Sequence, residues 1–217
     1  FPNVTQLDAT GPAQVLARTP GATLHMVWKT LDPVKTDAGF SIVPTTTFKD
    51  CPPLDVICIP GGAGQIDLMN DAETLAFVAK QGATAKYVTS VCTGSLVLGA
   101  AGLLKGYKSA CHWASRDLLS AFGAIPVAER VVRDRNRFSG GGVTAGIDFG
   151  LTLLAEIAGE DVAKSVQLGL EYDPQPPFQS GSPEKAGAER TAKVRTQMGP
   201  MIERRQKANA TAAARLG

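Results

Sequence analysis

The sequence predicts an α/β fold built on a doubly wound, mostly parallel sheet flanked by helices, and three observations carry that prediction. First, residues 54–59 form a nearly all-apolar run that stops abruptly at Pro60-Gly61-Gly62, and residues 86–91, with β-branched Val88, Thr89 and Val91, read as the next buried strand before Cys92-Thr93-Gly94. Such runs suit strands buried on both faces of a parallel sheet. Second, helical patterns alternate with the strand candidates along the chain. Third, 217 residues with 44% hydrophobic and 19% charged content are enough for one full core.

Each element has a local reason. Gly11-Pro12 followed by Ala13, Val15, Leu16 and Ala17 reads as a short helix with proline near its start, leaving Asp8 in the loop before it. Residues 23–28 alternate well enough for a strand. Residues 40–43 and 45–48 are short β segments broken by Pro44. Residues 72–80 form an amphipathic helix, and a small-residue helix runs over 93–101 to Gly102. Residues 109–113 form a short apolar segment. A helix over 115–122 is capped by Ser115 and ended by Gly123. Residues 127–133 and 137–139 flank Asp134-Arg135-Asn136, a turn between paired strands. Helices follow at 148–158 and 161–170.

The segment 172–183 carries Pro174, Pro176, Pro177 and Pro183 and is therefore extended. It closes an α/β domain spanning residues 1–183. Residues 184–217 are rich in Ala, Arg and Lys and read as a helical extension packed on the domain or on a partner subunit. The opening Phe1-Pro2-Asn3-Val4 is loop-like, and a first strand preceding it is expected.

Composition narrows the function. A net charge of +2 gives no reason to expect nucleic acid or a membrane surface as partner. No run approaches the roughly 18 apolar residues of a spanning helix. The four cysteines (51, 58, 92 and 111) form no CxxC pair, and only two histidines are present, so no metal or other cofactor is expected. Unpaired thiols fit a reducing, cytoplasmic compartment.

The chemistry concentrates at Cys92. It falls where a β-branched segment (Val88, Thr89, Val91) meets a helical one (Leu96, Val97, Leu98), with Gly94 two positions on. A thiol over a helix N-terminus meets unpaired N–H groups and a favourable dipole, which promote the reactive thiolate. A serine at the same joint makes the nucleophile elbow of hydrolases. The local sequence also allows a buried structural cysteine. Doubly wound sheets gather their sites at the carboxyl ends of strands. The loop around Asp8, the Pro60-Gly61-Gly62 turn and the Cys92 elbow should therefore converge, which favours the nucleophile.

Val91-Cys92-Thr93-Gly94, Ile59-Pro60-Gly61-Gly62, Leu7-Asp8 before Gly11-Pro12, and the run from Gly140 to Asp148 together resemble the DJ-1/PfpI superfamily over nearly the whole chain. Within it the sequence is most similar to isocyanide hydratases. The resemblance implies a flavodoxin-like DJ-1/PfpI-type sheet, a homodimer, and hydration of isocyanides to N-formamides through a thioimidate. It makes Cys92 the nucleophile and Asp8 the acid beside the sulfur, although spacing alone reads Asp8 as a cap or solvated acid. Gly62 and Thr93 are candidates for a pocket of N–H donors. Gly62 is equally a strand-ending turn, and the Thr93 hydroxyl equally a first-turn cap. Val143 is placed to line the pocket near Cys92, where relatives tend to carry isoleucine.

Two other functions use similar equipment. A glyoxalase-like hydration of 2-oxoaldehydes needs the same cysteine and acid, and a ligand- or redox-sensing module needs only a reactive cysteine. A peptidase is disfavoured because Thr93 stands where protease-like members place histidine. His112, in Cys111-His112-Trp113, is either a partner for a cysteine or a structural histidine. Gly140-Gly141-Gly142 and Gly146 match no phosphate-binding loop and read as a tight strand-to-helix passage. Trp28 and Trp113 read as core or interface residues.

Overall fold

The computed structural model describes residues 1–216. Along the chain run α1 (Gln6–Leu16), β1 (Val27–Trp28), β2 (Val34–Lys35), β3 (Ser41–Ile42), β4 (Thr46–Thr47), β5 (Val56–Ile59), α2 (Gln65–Leu68), α3 (Ala72–Thr84), β6 (Tyr87–Val91) and α4 (Gly94–Ala100). Then follow β7 (Lys108–Ser109), a 3-10 helix (Arg116–Phe122), β8 (Ile125–Pro126), β9 (Val131–Asp134), β10 (Arg137–Gly140), α5 (Ala145–Ala158), α6 (Glu160–Gly169), α7 (Pro183–Ala186), α8 (Ala188–Gln197) and α9 (Gly199–Ala214).

The central sheet has the order β5-β6-β10-β9. β5, β6 and β10 are parallel, with Ile59 opposite Ser90 and Gly140 opposite Val91. β9 joins antiparallel through the turn expected at 134–136. Small pairs β1–β4, β2–β3 and β7–β8 flank it. Helices cover both faces. One core cluster gathers Leu96, Val97, Leu98, Leu119 and Phe122, and another gathers Phe138, Phe149, Leu153 and Cys92.

β6 is buried at all five positions, as expected of a strand covered on both faces, although it includes Thr89 and Ser90. β5 departs from that pattern: Ile57 and Ile59 are buried, whereas Val56 and Cys58 are only half-buried. Their side of the strand borders a cavity of about 640 Å³ lined also by Leu24, Val27, Trp28 and Phe77. The strand expected over 23–28 is reduced to Val27–Trp28.

Three helices begin or end away from their sequence signals. α1 starts at Gln6, so Asp8 lies in its first turn and is completely buried rather than in a loop. Pro12 sits inside the helix, where it can donate nothing to the Asp8 carbonyl. What holds α1 there is tight packing on α5: a Cβ on Gly146 would meet Pro12 Cδ at 3.0 Å, and one on Gly150 would meet Val15 Cβ at 3.1 Å. α5 accordingly starts at Ala145, so Gly146 belongs to a helix contact and not to a passage before it. Ser115 makes no capping bond to the 3-10 helix, and its oxygen accepts from Arg205 instead. The segment from Pro183 on is three helices, broken at Gly187 (φ +81°) and at Met198, just before Gly199-Pro200. α9 docks on the sheet domain, sending Ala212 into the main core.

Candidate active site

Cys92 is the residue between β6 and α4, and its backbone has φ +56°. A non-glycine residue there is uncommon and strained, and such strain persists only where the surroundings enforce it. Two hydrogen bonds enforce it here. The Cys92 N–H donates to the Gly140 carbonyl at 2.9 Å, and Ser95 Oγ donates to the Cys92 carbonyl at 3.0 Å. Gly94 lets the elbow press on the end of β5, since a Cβ there would stand 2.0 Å from the Ile59 carbonyl oxygen. The left-handed turn lifts the thiol above the carboxyl edge of the sheet, as in a nucleophile elbow.

Asp8 arrives from α1 and is anchored by the β5 turn. Its Oδ2 accepts the Gly61 N–H at 2.9 Å, while Oδ1 is buried with no hydrogen-bond partner among the described residues. Gly62 donates its N–H to Thr93 Oγ1 at 3.2 Å. Gly61 itself admits no side chain: a Cβ would lie 2.6 Å from Thr93 N and 2.7 Å from both Asp8 Oδ2 and Thr93 Oγ1. The three expected elements therefore meet at Gly61. The Gly62 N–H, foreseen as a free donor, is engaged by the Thr93 hydroxyl. That hydroxyl is an acceptor here and makes no capping bond to α4. Val143 packs against the cluster that contains Cys92.

The electrostatics describe an acid and a thiol sharing one proton. Burial pushes the Asp8 carboxyl up to about 6, against the pull of the Gly61 N–H and the Cys92 thiol. Burial and then the neighbouring Asp8 and Cys111 push the Cys92 thiol well above its ordinary value, against the Thr93 N–H and Arg205. Burial thus opposes the charge on both groups, and on the sulfur it works against the help that a helix terminus of two turns gives a thiolate. Cys58 and Cys111 are raised too, to about 12 and about 11. What distinguishes Cys92 among the thiols is therefore its backbone and its acid.

His112 stands apart from this exchange. Its Nδ1 accepts the Ala114 N–H at 3.3 Å, and burial, then Arg205, lower its pKa to about 4, so it is neutral. Neither Cys92, Asp8 nor Thr93 lines the 640 Å³ cavity, although Ala9 and Pro60, the neighbours of Asp8 and Gly61, do. No group of three His, Cys, Asp or Glu side chains suited to a metal occurs among the described residues.

The family model described as DJ-1/PfpI matches residues 1–156. The chain belongs to the DJ-1/PfpI family. The isonitrile hydratase of Pseudomonas putida is 57% identical to it over 216 residues, covering 100% of this chain and 95% of that one. The crystal structure of a ThiJ/PfpI family protein from Pseudomonas syringae superposes with a TM-score of 0.90 at 51% identity, covering 98% of this chain and 87% of that one. The HTH-type transcriptional regulator GbdR of Pseudomonas aeruginosa is 29% identical over 80% of this chain but only 48% of its own length.

Two residues, one at this site and one in the C-terminal helix, are not legible from the sequence. Gly61 was visible only as half of a turn, yet it is where Asp8 and Thr93 close on each other. Arg205, in a stretch that reads as a solvated basic helix, is buried at 2% exposure. Its repeating neighbours Arg204 and Lys207 hide that difference in the sequence.

Proposed function

We propose that the chain is an isocyanide hydratase, converting isocyanides to N-formamides with Cys92 as nucleophile and Asp8 as proton carrier. The observation that carries the mechanism is the Asp8 carboxylate, held at Oδ2 by Gly61 and free at Oδ1 beside a thiol on a strained elbow. The substrate class is supported by the full-length similarity to an isonitrile hydratase.

The steps balance with one shared proton. Asp8 takes the Cys92 proton as the sulfur attacks the terminal isocyanide carbon. The carbon lone pair then receives that proton from Asp8, giving the thioimidate R–N=CH–S–Cys92. With Asp8 again a carboxylate, it takes a proton from water as the oxygen adds to the same carbon and passes it to the nitrogen, giving R–NH–CH(OH)–S–Cys92. Asp8 then takes the hydroxyl proton as the carbonyl forms and the C–S bond breaks, and returns it to the sulfur, releasing R–NH–CHO. Gly61 and Thr93 keep the carboxylate in line, and Val143 supplies apolar contact next to the sulfur.

Incubation with a simple aryl isocyanide should yield the formamide with the wild type and none with Cys92→Ala; formamide from the variant would sink covalent catalysis. Methylglyoxal, offered in parallel, separates a glyoxalase-like enzyme. The chain is also read as a homodimer in the cytoplasm. Leu168 and Phe178, beside and within the proline-rich segment, are 82% and 78% exposed and support a covering subunit. Light scattering should return twice the 22.7 kDa chain mass. No helix of the described residues is long and apolar enough to cross a membrane.

A further inference from the structure

Two unpaired strand edges border the 640 Å³ cavity. Among the described residues β5 pairs only with β6, and β1 pairs only with β4. The Asp55 carbonyl accepts the Tyr87 N–H on the β6 side, so by alternation Val56 and Cys58 turn their backbone groups to the other edge. On β1 the carbonyls of Met26 and Trp28 accept from Thr45 and Phe48, which turns Val27 away from β4. Val27, Val56 and Cys58 all line the cavity. Unpaired edges of this kind are templates for a further strand.

The chain already enters this slot at one end. Asn3 donates its N–H to the Lys35 carbonyl at 2.8 Å and accepts the Gly64 N–H at 3.2 Å. Val4 bridges Thr36 in parallel and Gly62 in antiparallel fashion, and Thr5 donates to the Gly61 carbonyl at 3.0 Å. Residues 3–5 thus run between the segment that follows β1 and the turn that ends β5. Followed backwards from Asn3, the chain reaches Phe1 on the cavity wall, its ring 6.4 Å from that of Trp28. The Phe1 amine is buried there, and loss of water lowers it to about 6. A peptide N–H suits that place better than an ammonium group, because burying a charge costs more than burying an amide.

The walls state what fits. Pro12, Leu16 and Ile157 cover one face of the slot, and Phe77, Val78 and Val97 cover the other. A strand held there is apolar on both sides, as interior strands of parallel sheets are. To run alongside the four residues of β5 and reach Phe1 it needs about six residues, rising about 3.3 Å each.

We propose that the slot between β1 and β5 seats a strand formed by the segment of this chain immediately before Phe1, parallel to both. That strand joins the β1–β4 pair to the central sheet. It also leads through Thr5 directly into the first turn of α1, so its seat fixes where Asp8 meets Gly61. A second copy of the chain is the poorer occupant, since this chain's own backbone is already hydrogen-bonded into the end of the slot. The proposal holds whatever reaction Cys92 performs.

The test sets the protein purified from the cells that make it beside a form beginning at Phe1. Intact mass of the first should exceed 22.7 kDa, with an apolar run of about six residues directly before Phe1. A mass of 22.7 kDa, or a polar run, overturns the proposal. Amide hydrogen exchange then reads the edges. Val27, Val56 and Cys58 should exchange at least about tenfold more slowly in the longer form, and equal rates overturn the proposal. If the shorter form fails to fold, a cross-link decides. A cysteine placed in the preceding run beside Cys58 should form a disulfide with it inside one chain, as neighbouring strands bring their Cα atoms within reach. A link only between two chains, or no link, overturns the proposal.

Discussion

Asp8 Oδ2 accepts the Gly61 N–H at 2.9 Å, joining the first turn of α1 to the end of β5 across 53 positions of sequence. That bond fixes one carboxylate oxygen and leaves the other for proton transfer. It also favours the ionised form of Asp8, because a hydrogen bond from a backbone N–H stabilises a carboxylate. Desolvation still dominates, and the balance brings Asp8 to about 6.

Activity should follow the protonation of this pair. Turnover requires a single proton on Asp8 and Cys92 together, so kcat/KM should fall about tenfold per pH unit below about 6 and level off above it. Asp8→Asn should lose that limb and run at least about 100-fold slower at neutral pH. A pH–rate profile with the same acid limb in both proteins would remove Asp8 from the proton path.

Stability should respond in the opposite sense. The folded-state pKa of Asp8 is raised from 3.8 to about 6, so folding disfavours its ionised form. The resulting penalty is absent below about pH 4, grows between about 4 and 6, and reaches about 3 kcal/mol above that range. Asp8→Asn keeps an oxygen for the Gly61 N–H and should melt several degrees higher than wild type at pH 7.5, with no gain at pH 4. Equal gains at both pH values in thermal melts would contradict this account.

Gly61→Ala tests the meeting point directly. The added methyl lands 2.6 Å from Thr93 N and 2.7 Å from Asp8 Oδ2, and Thr93 N cannot yield without moving the elbow. Overpacking of this kind costs about 1–3 kcal/mol. Urea denaturation should show that loss together with a drop in kcat of tenfold or more, which an ordinary surface glycine would not give.

Strain at the elbow predicts an order among inactive variants. At φ +56°, glycine avoids a clash that any L side chain suffers, worth about 1 kcal/mol. Cys92→Gly should therefore unfold at higher urea than Cys92→Ala although both lack the nucleophile. The reverse order would mean that the left-handed conformation is not held in solution.

The sequence by itself determined the alternation of strands and helices, the elbow at Cys92 and the turn at Pro60-Gly61-Gly62, because each is a local pattern. Apolar runs and turn residues act within a few positions, and β6, α4 and the β9–β10 turn follow from them. Tertiary structure decided the rest. Asp8 became part of a helix because α1 packs through Gly146 and Gly150 onto α5, a contact between segments more than a hundred positions apart. The upward push on the Cys92 thiol reflects burial that no local motif reports. Arg205 reads as one more charge on a solvated helix until α9 docks and removes it from water. The motifs located the elbow cysteine; long-range packing raises its pKa, because desolvation depends on the whole fold around a group.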